Sequence, residues 1–179
     1  IVKILVTGNK GYIGSVLVPM LVKLGYGVRG YDTGYYEDCL LHPVEENYQH
    51  IKKDIRDIEK IDVEGIDAVI HLAGLSNDPL GELVPGLTEE INLIGTIKLA
   101  EFAKASGVQR FIYSSSQSMY GISNTDFELD EDDSEKNAIT AYAKTKWEAE
   151  CRLMKMQSSN FEVVAFRPST VFGASPRLR

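Results

Sequence analysis

Two hydrophobic rhythms alternate along the chain. Short, nearly continuous apolar runs give way to longer stretches in which apolar residues return every three or four positions. The runs at residues 2–7, 28–31, 50–54, 68–73, 110–115 and 161–166 predict six strands. The run at 68–73 is almost wholly apolar, the pattern of a central parallel strand buried on both faces. The longer stretches at 12–24, 88–106 and 141–156 predict helices. In the first, Ile13, Leu17, Met20, Leu21 and Leu24 keep helical spacing across Pro19, and Gly25 closes the segment. In the second, Ile91, Ile94, Leu99, Phe102 and Ala103 form the expected buried side. Residues 33–47 are aromatic, acidic and weakly periodic, and read as loop. The Gly- and Pro-rich stretch after Gly74 and the acidic run at 128–135 read the same way. Strands alternating with helices of this length predict an α/β fold, a doubly wound parallel sheet covered on both faces. No internal repeat or low-complexity tract interrupts it.

At 179 residues the chain can bury one full core, so residues 1–179 are read as a single domain. The formal charge of -7 argues against nucleic acid, because no basic stripe offsets the carboxylates. A phosphorylated ligand stays open, since a helix N-terminus can hold one without net positive charge. Cys39 and Cys151 stand far apart without CxxC spacing, which points to a reducing, cytoplasmic setting. No apolar stretch reaches the roughly 18 residues needed to span a bilayer, and the opening residues lack the features of a secretory signal.

Gly8, Gly11 and Gly14 fall where the first strand should turn into the first helix, spaced G-x-x-G-x-x-G. Gly8 permits a tight turn, Gly11 lets a diphosphate approach the backbone, and Gly14 allows the helix to pack close on the sheet. Free N–H groups and the positive helix end then face the phosphates, the arrangement of a Rossmann-type dinucleotide site. Asp32, ending the second strand, is placed to accept hydrogen bonds from an adenosine ribose. Its charge would repel a 2'-phosphate, favouring NAD over NADP. A surface aspartate opening a turn with Gly34 is the plainer alternative. Arg29 lies too far back along its strand for direct phosphate contact. Asp54 and Ile55, past the third strand, stand near an adenine or in a simple strand-end turn.

Tyr142 and Lys146 lie four apart in a predicted helix and so share a face. An ammonium there lowers the tyrosine pKa from its reference near 10. The phenolate could take an alcohol proton while hydride leaves the same carbon for a nicotinamide. Ser116 would hydrogen-bond that oxygen. Ser114, Ser115 and Ser118 compete with it, and sequence alone does not separate them. Lys144, two positions from Tyr142, faces elsewhere. His71 reads as core or cofactor-facing, because neither it nor His42 or His50 completes a metal-ligand spacing.

These residues resemble the extended short-chain dehydrogenase/reductase family, in its NAD-dependent nucleotide-sugar epimerase and dehydratase branch. The likeness runs through ILVTGNKGYIGS, the DI pair, HLAG, NLIGT, FIYSSSQSMYG, AYAKTK and FRPSTVFG, which together span nearly the whole chain. It implies Ser116, Tyr142 and Lys146 as catalytic residues, with Tyr120 as the marker beyond the serine. It extends cofactor contact to Tyr12, Ile13, Leu72, Ala73, Gly74, Asn92, Ser114 and Arg167, besides the glycines, Asp32, Asp54 and Ile55. Relatives acting as 4,6-dehydratases carry Thr-Asp-Glu where this chain has Ser116, Gln117 and Ser118, so epimerisation of a nucleotide-sugar substrate is favoured. Members of the family continue into a smaller substrate domain and commonly form homodimers through two helices, here 88–106 and 141–156. Residues 1–179 alone are expected to bind NAD and to turn over poorly.

Overall fold

The computed structural model describes residues 1–44, 47–76, 78–122, 128–132 and 134–177. Six strands form one parallel sheet: β1 (Lys3–Thr7), β2 (Gly27–Asp32), β3 (Gln49–Lys52), β4 (Ala68–His71), β5 (Arg110–Ser114) and β6 (Glu162–Phe166). Their spatial order is β3-β2-β1-β4-β5-β6, and every neighbouring pair is parallel. The order reverses between β1 and β4, leaving a crevice at the carboxyl ends of those two strands. β1 is central, and Leu5 and Val6 are wholly buried. Side chains alternate between the faces of a strand, so the sheet builds a core on each side. On one side Ile4, Val6 and Val28 pack with Val18 and Leu21 of helix α1 (Gly14–Lys23). The larger core on the other gathers Leu5, Val69, Phe111, Tyr113 and Val163 against two later helices.

The first helix begins two residues later than its apolar spacing suggests. Tyr12 and Ile13 belong to the turn, with Ile13 as N-cap, and the helix runs on through Pro19. The strands match their expected positions to within one or two residues, and the 33–47 region contributes only an isolated bridge from Leu40 to Arg177 at its described residues. The acidic stretch 128–135 has no regular structure at its described residues, and residue 133 lies outside them.

Two segments depart from the expected pattern. The stretch after Gly74 contains a short helix, α2 (Asp78–Leu83). The continuous helix expected over 88–106 is composite: α3 (Pro85–Glu89), a π-helical segment (Glu90–Gly95) and α4 (Thr96–Ala105). The π turn inserts a residue and rotates the phase of everything before it. Ile94, expected inside, is 55% exposed, while Leu93 and Asn92 are buried. Local packing holds this turn in place. The Thr96 hydroxyl donates to the Asn92 carbonyl at 2.8 Å, and Ile55 presses so close on Gly95 that a Cβ there would lie 3.2 Å from it. The last helix, α5 (Ala141–Met156), has the bounds its periodicity predicts. Among the described residues, no helix is long and apolar enough to cross a membrane.

Candidate active site

Because all strands run the same way, their carboxyl ends bring the sequence-predicted residues to one edge of the sheet. The glycine turn sits there after β1. Gly8 has φ +71°, and a Cβ on it would lie 2.7 Å from the Ala73 nitrogen across the crevice. A Cβ on Gly14 would lie 2.3 Å from the Gly8 carbonyl oxygen. Both positions therefore demand glycine for backbone approach, and Gly11 donates its N–H to the Gly8 carbonyl at 3.0 Å. The N-terminus of α1 has no side-chain cap and no acid in its first turn. Its N–H groups thus present a positive end to an incoming anion.

Asp32 is half-buried. Its carboxylate accepts the Lys10 N–H at 3.1 Å and the Gly34 N–H at 2.8 Å, so it both opens the Gly34 turn and ties β2 to the glycine loop. Arg29 points away, donating to the Asp62 and Glu64 carbonyls. Asp54 is engaged by Arg56, which holds its carboxyl below the usual range, and it caps the short helical turn that follows. Ile55 is buried under Gly95. Tyr12 turns its hydroxyl onto the Gly173 carbonyl at 2.6 Å, and its own carbonyl accepts the Ser175 hydroxyl.

The second half of the site is assembled by α5. Thr140 caps this helix, accepting the Ala143 N–H at 3.1 Å and donating to Asp78 of α2. Glu82 of α2 accepts the Ala141 N–H. Two carboxylates thus complement the positive end of α5 beside Tyr142. Gly81 lets α2 close over it, since a Cβ there would stand 3.2 Å from the Tyr142 Cβ. One turn on, Lys146 is 4% exposed and donates to the Ser114 carbonyl at 2.8 Å. Burial pushes its ammonium down to about 8. A Cβ on Gly74 would come 3.7 Å from its Nζ and 2.9 Å from Asn92 Oδ1, so Gly74, Asn92 and Lys146 are brought together. Asn92 fixes the loop beyond β4 by exchanging two hydrogen bonds with the Leu75 backbone. Leu72 and Ala73 are half-buried just before that loop. Ser116 is nearly buried. Its Oγ accepts the Ser118 N–H and contacts the Ser118 hydroxyl, both at 3.1 Å.

Arg167, just past β6, is engaged by protein groups. Its guanidinium grips the buried Glu150 at 2.6 Å and donates to the Tyr120 hydroxyl and the Glu131 carbonyl, both at 2.7 Å. This cation is held against α5 and pins the acidic loop, the reverse of a free phosphate-facing arginine. The i, i+4 spacing of Lys146 and Glu150 was the available clue that a second buried charge shares that helix face.

Sequence reasoning also left His71 undivided between core and cofactor, and the structure resolves it as core. The Thr96 hydroxyl proton is used on the Asn92 carbonyl, so Thr96 Oγ1 must accept at 2.7 Å from His71 Nε2–H. Nδ1 is then bare and accepts the Thr7 hydroxyl at 2.6 Å, while Thr7 accepts the Ala73 N–H at 3.3 Å. Every donor in this relay has an acceptor, and the imidazole is neutral. Burial, aided by the Lys146 charge, pushes it down to about 3.

The chain is similar in sequence and fold to known proteins. The chain is 34% identical to dTDP-D-glucose 4,6-dehydratase of Mus musculus, across 96% of this chain and 51% of that protein. It is equally 34% identical to UDP-glucose 4-epimerase 1 of Oryza sativa subsp. japonica, across 97% of this chain and 52% of that protein. Among solved structures it is similar to MoeE5 in complex with UDP-glucose and NAD, with TM-score 0.78 and 27% identity over 92% of this chain and 53% of that one. The chain spans about half the length of these relatives. The model of the NAD dependent epimerase/dehydratase family matches residues 4–179, a span that takes in the glycine turn, the His71 relay and α5, and the chain belongs to that family.

Proposed function

We propose that this chain is the NAD-binding half of an enzyme that epimerises a nucleotide-activated sugar through a keto intermediate. The observation that carries this reading is the pair on α5: Tyr142, with Lys146 one turn on, buried and in no ion pair among the described residues. An uncompensated ammonium favours the phenolate of a neighbouring tyrosine. The glycine turn, the uncapped end of α1 and Asp32 fit a dinucleotide, since a Cβ at Gly8 or Gly14 would fill the cradle. Leu72, Ala73, Gly74, Asn92 and Ser114 would line its nicotinamide end.

NAD, when bound, supplies a hydride acceptor that later returns the hydride. Tyr142 removes the proton of the sugar hydroxyl as that carbon is oxidised, and gives it back once the keto sugar has turned over. Ser116 hydrogen-bonds the same oxygen, with Ser118 holding its hydroxyl meanwhile. Lys146 stays protonated and keeps the field positive at the phenolate. Ser116, Gln117 and Ser118 offer no carboxylate for elimination of water. The α2 acids at the start of α5, Asp78 and Glu82, are engaged in capping that helix. A homodimer contact fits the composite helix over 88–106 and α5, where Ile94 of the π-helical segment and Met154 of α5 stand exposed.

The full-length gene product, loaded with NAD and given a panel of sugar nucleotides, tests the reading by NMR of the products. An inverted carbon without net NADH supports it. Loss of water would make the enzyme a dehydratase, and a keto product with stoichiometric NADH a net dehydrogenase. Saturating NAD binding with no turnover would move the case to a cofactor-binding regulator.

A further inference from the structure

The ammonium of Lys146 is held by very little. It lies in a buried site, makes one hydrogen bond, to the Ser114 carbonyl, and has no carboxylate partner among the described residues. The acids on elements packed against α5 are engaged elsewhere or, like Glu89 on α3 and Glu101 on α4, stand exposed to solvent. On α5 itself Glu150 holds Arg167. On α2 Asp78 and Glu82 cap the helix, and on the π-helical segment Glu90 pairs with Arg56. The titratable groups left around Lys146 are Tyr142 on its own helix, Tyr113 on β5 and the neutral His71 on β4.

Tyr113 is wholly buried, and its ring centroid lies 4.9 Å from Lys146 Nζ. The same ring stacks on His71, centroids 5.9 Å apart and planes 20° from parallel. His71 is clamped at both nitrogens by Thr7 and Thr96, so the imidazole stacked on Tyr113 is fixed in place. The Tyr113 hydroxyl has no hydrogen-bond partner among the described residues. Its phenol therefore serves the site through its ring, while the hydroxyl adds only a buried polar group.

We infer that Tyr113 is a positioning residue: the face of its ring, braced by His71, orients the Lys146 ammonium and keeps it a cation beside Tyr142. This rests on the assignment of Lys146 to the catalytic site. A ring quadrupole attracts a cation most strongly where water is excluded, which is the situation here. The inference accounts for a lysine that remains charged without an acid, and for an aromatic residue whose polar tip is unused.

The test is the titration of the Lys146 side chain, followed by NMR of the chain carrying 13C-labelled lysine, with its resonance assigned by loss in Lys146→Met. Tyr113→Phe keeps the ring and should leave the midpoint nearly unchanged. Phenylalanine fluorinated stepwise at position 113 keeps the shape while draining the ring quadrupole. The midpoint should fall with each step, by about one pH unit, a tenfold change in proton affinity, at full substitution. A midpoint constant across the fluorinated series, or one moved as far by Tyr113→Phe as by full fluorination, overturns the inference. Turnover by the full-length gene product separates this from the underlying reading. Lys146→Met with normal turnover would remove Lys146 from the site whatever Tyr113 does. An inactive Lys146→Met beside an unmoved fluorination series would remove only the role of Tyr113.

Discussion

The glycine turn after β1 and the lysine-bearing face of α5 sit at the same sheet edge but are built from opposite materials. The turn is made of backbone: two glycines forced by contacts as short as 2.3 Å, a helix end without a cap, and Asp32 tying it to β2. The α5 face is made of buried side chains: a lysine without a counter-ion among the described residues, a neutral histidine between two threonines, and an Arg167–Glu150 pair. Backbone sites bind through geometry that no side-chain change can imitate, whereas buried polar side chains tune charge and are sensitive to pH. The first region should therefore govern affinity for the dinucleotide, and the second the chemistry.

The largest effect should come from splitting these roles. In the full-length enzyme, Tyr142→Phe should lower turnover by roughly 10²–10⁴-fold, the usual weight of a positioned acid–base group, with NAD affinity nearly unchanged. Gly14→Ala should do the reverse and abolish NAD binding measured by calorimetry. A Tyr142→Phe variant that loses NAD affinity as well would erase the distinction.

Next in size is the π-helical segment that couples the halves. Leu93→Ala should cost about 2–5 kcal/mol in denaturant unfolding, and Ile94→Ala less than about 0.5 kcal/mol. The expected helix would give the opposite ranking.

Lys146→Met should inactivate the enzyme yet stabilise the fold by roughly 3 kcal/mol at neutral pH. Its ammonium sits near 8 when folded and near the ordinary lysine value of 10.5 when unfolded. The sign follows from proton counts. Between those two values the unfolded chain holds this proton more tightly, so the Lys146 contribution to stability should rise with pH there and level off above. The stability difference between Lys146→Met and wild type should therefore shrink as pH rises through that range.

His71 should give a smaller effect on the acid side. Its imidazole titrates near 3 when folded and near 6.5 when unfolded, so stability is unaffected above 6.5 and falls as pH drops below it. At pH 5 the loss should be roughly 2 kcal/mol, absent in His71→Gln. Thermal melts across that range measure both.

The two regions also differed in how far the sequence disclosed them. Glycine spacing reports backbone constraint directly, so the turn, the strand alternation and the order of elements were legible, as was α5 with Tyr142 and Lys146 on one face. The composite helix was not. Besides the local bond from Thr96 to the Asn92 carbonyl, the π turn depends on Ile55 pressing on Gly95, a contact between distant parts of the chain. The same reason hid α2, and it hid the destination of Arg167, whose partner Glu150 becomes visible only when β6 and α5 are packed together. His71 looked ambiguous because a strand histidine declares its role only through what lies across from it.

If α5 does the chemistry on a dinucleotide held by the glycine turn, reduced nicotinamide should form and vanish within one catalytic cycle. Stopped-flow absorbance can follow this on mixing the NAD-loaded full-length gene product with the sugar nucleotide that it turns over. The absorbance should rise transiently and decay fully as epimer forms, with no rise at all in Tyr142→Phe. A transient of normal size and rate in Tyr142→Phe would show that Tyr142 is not the base.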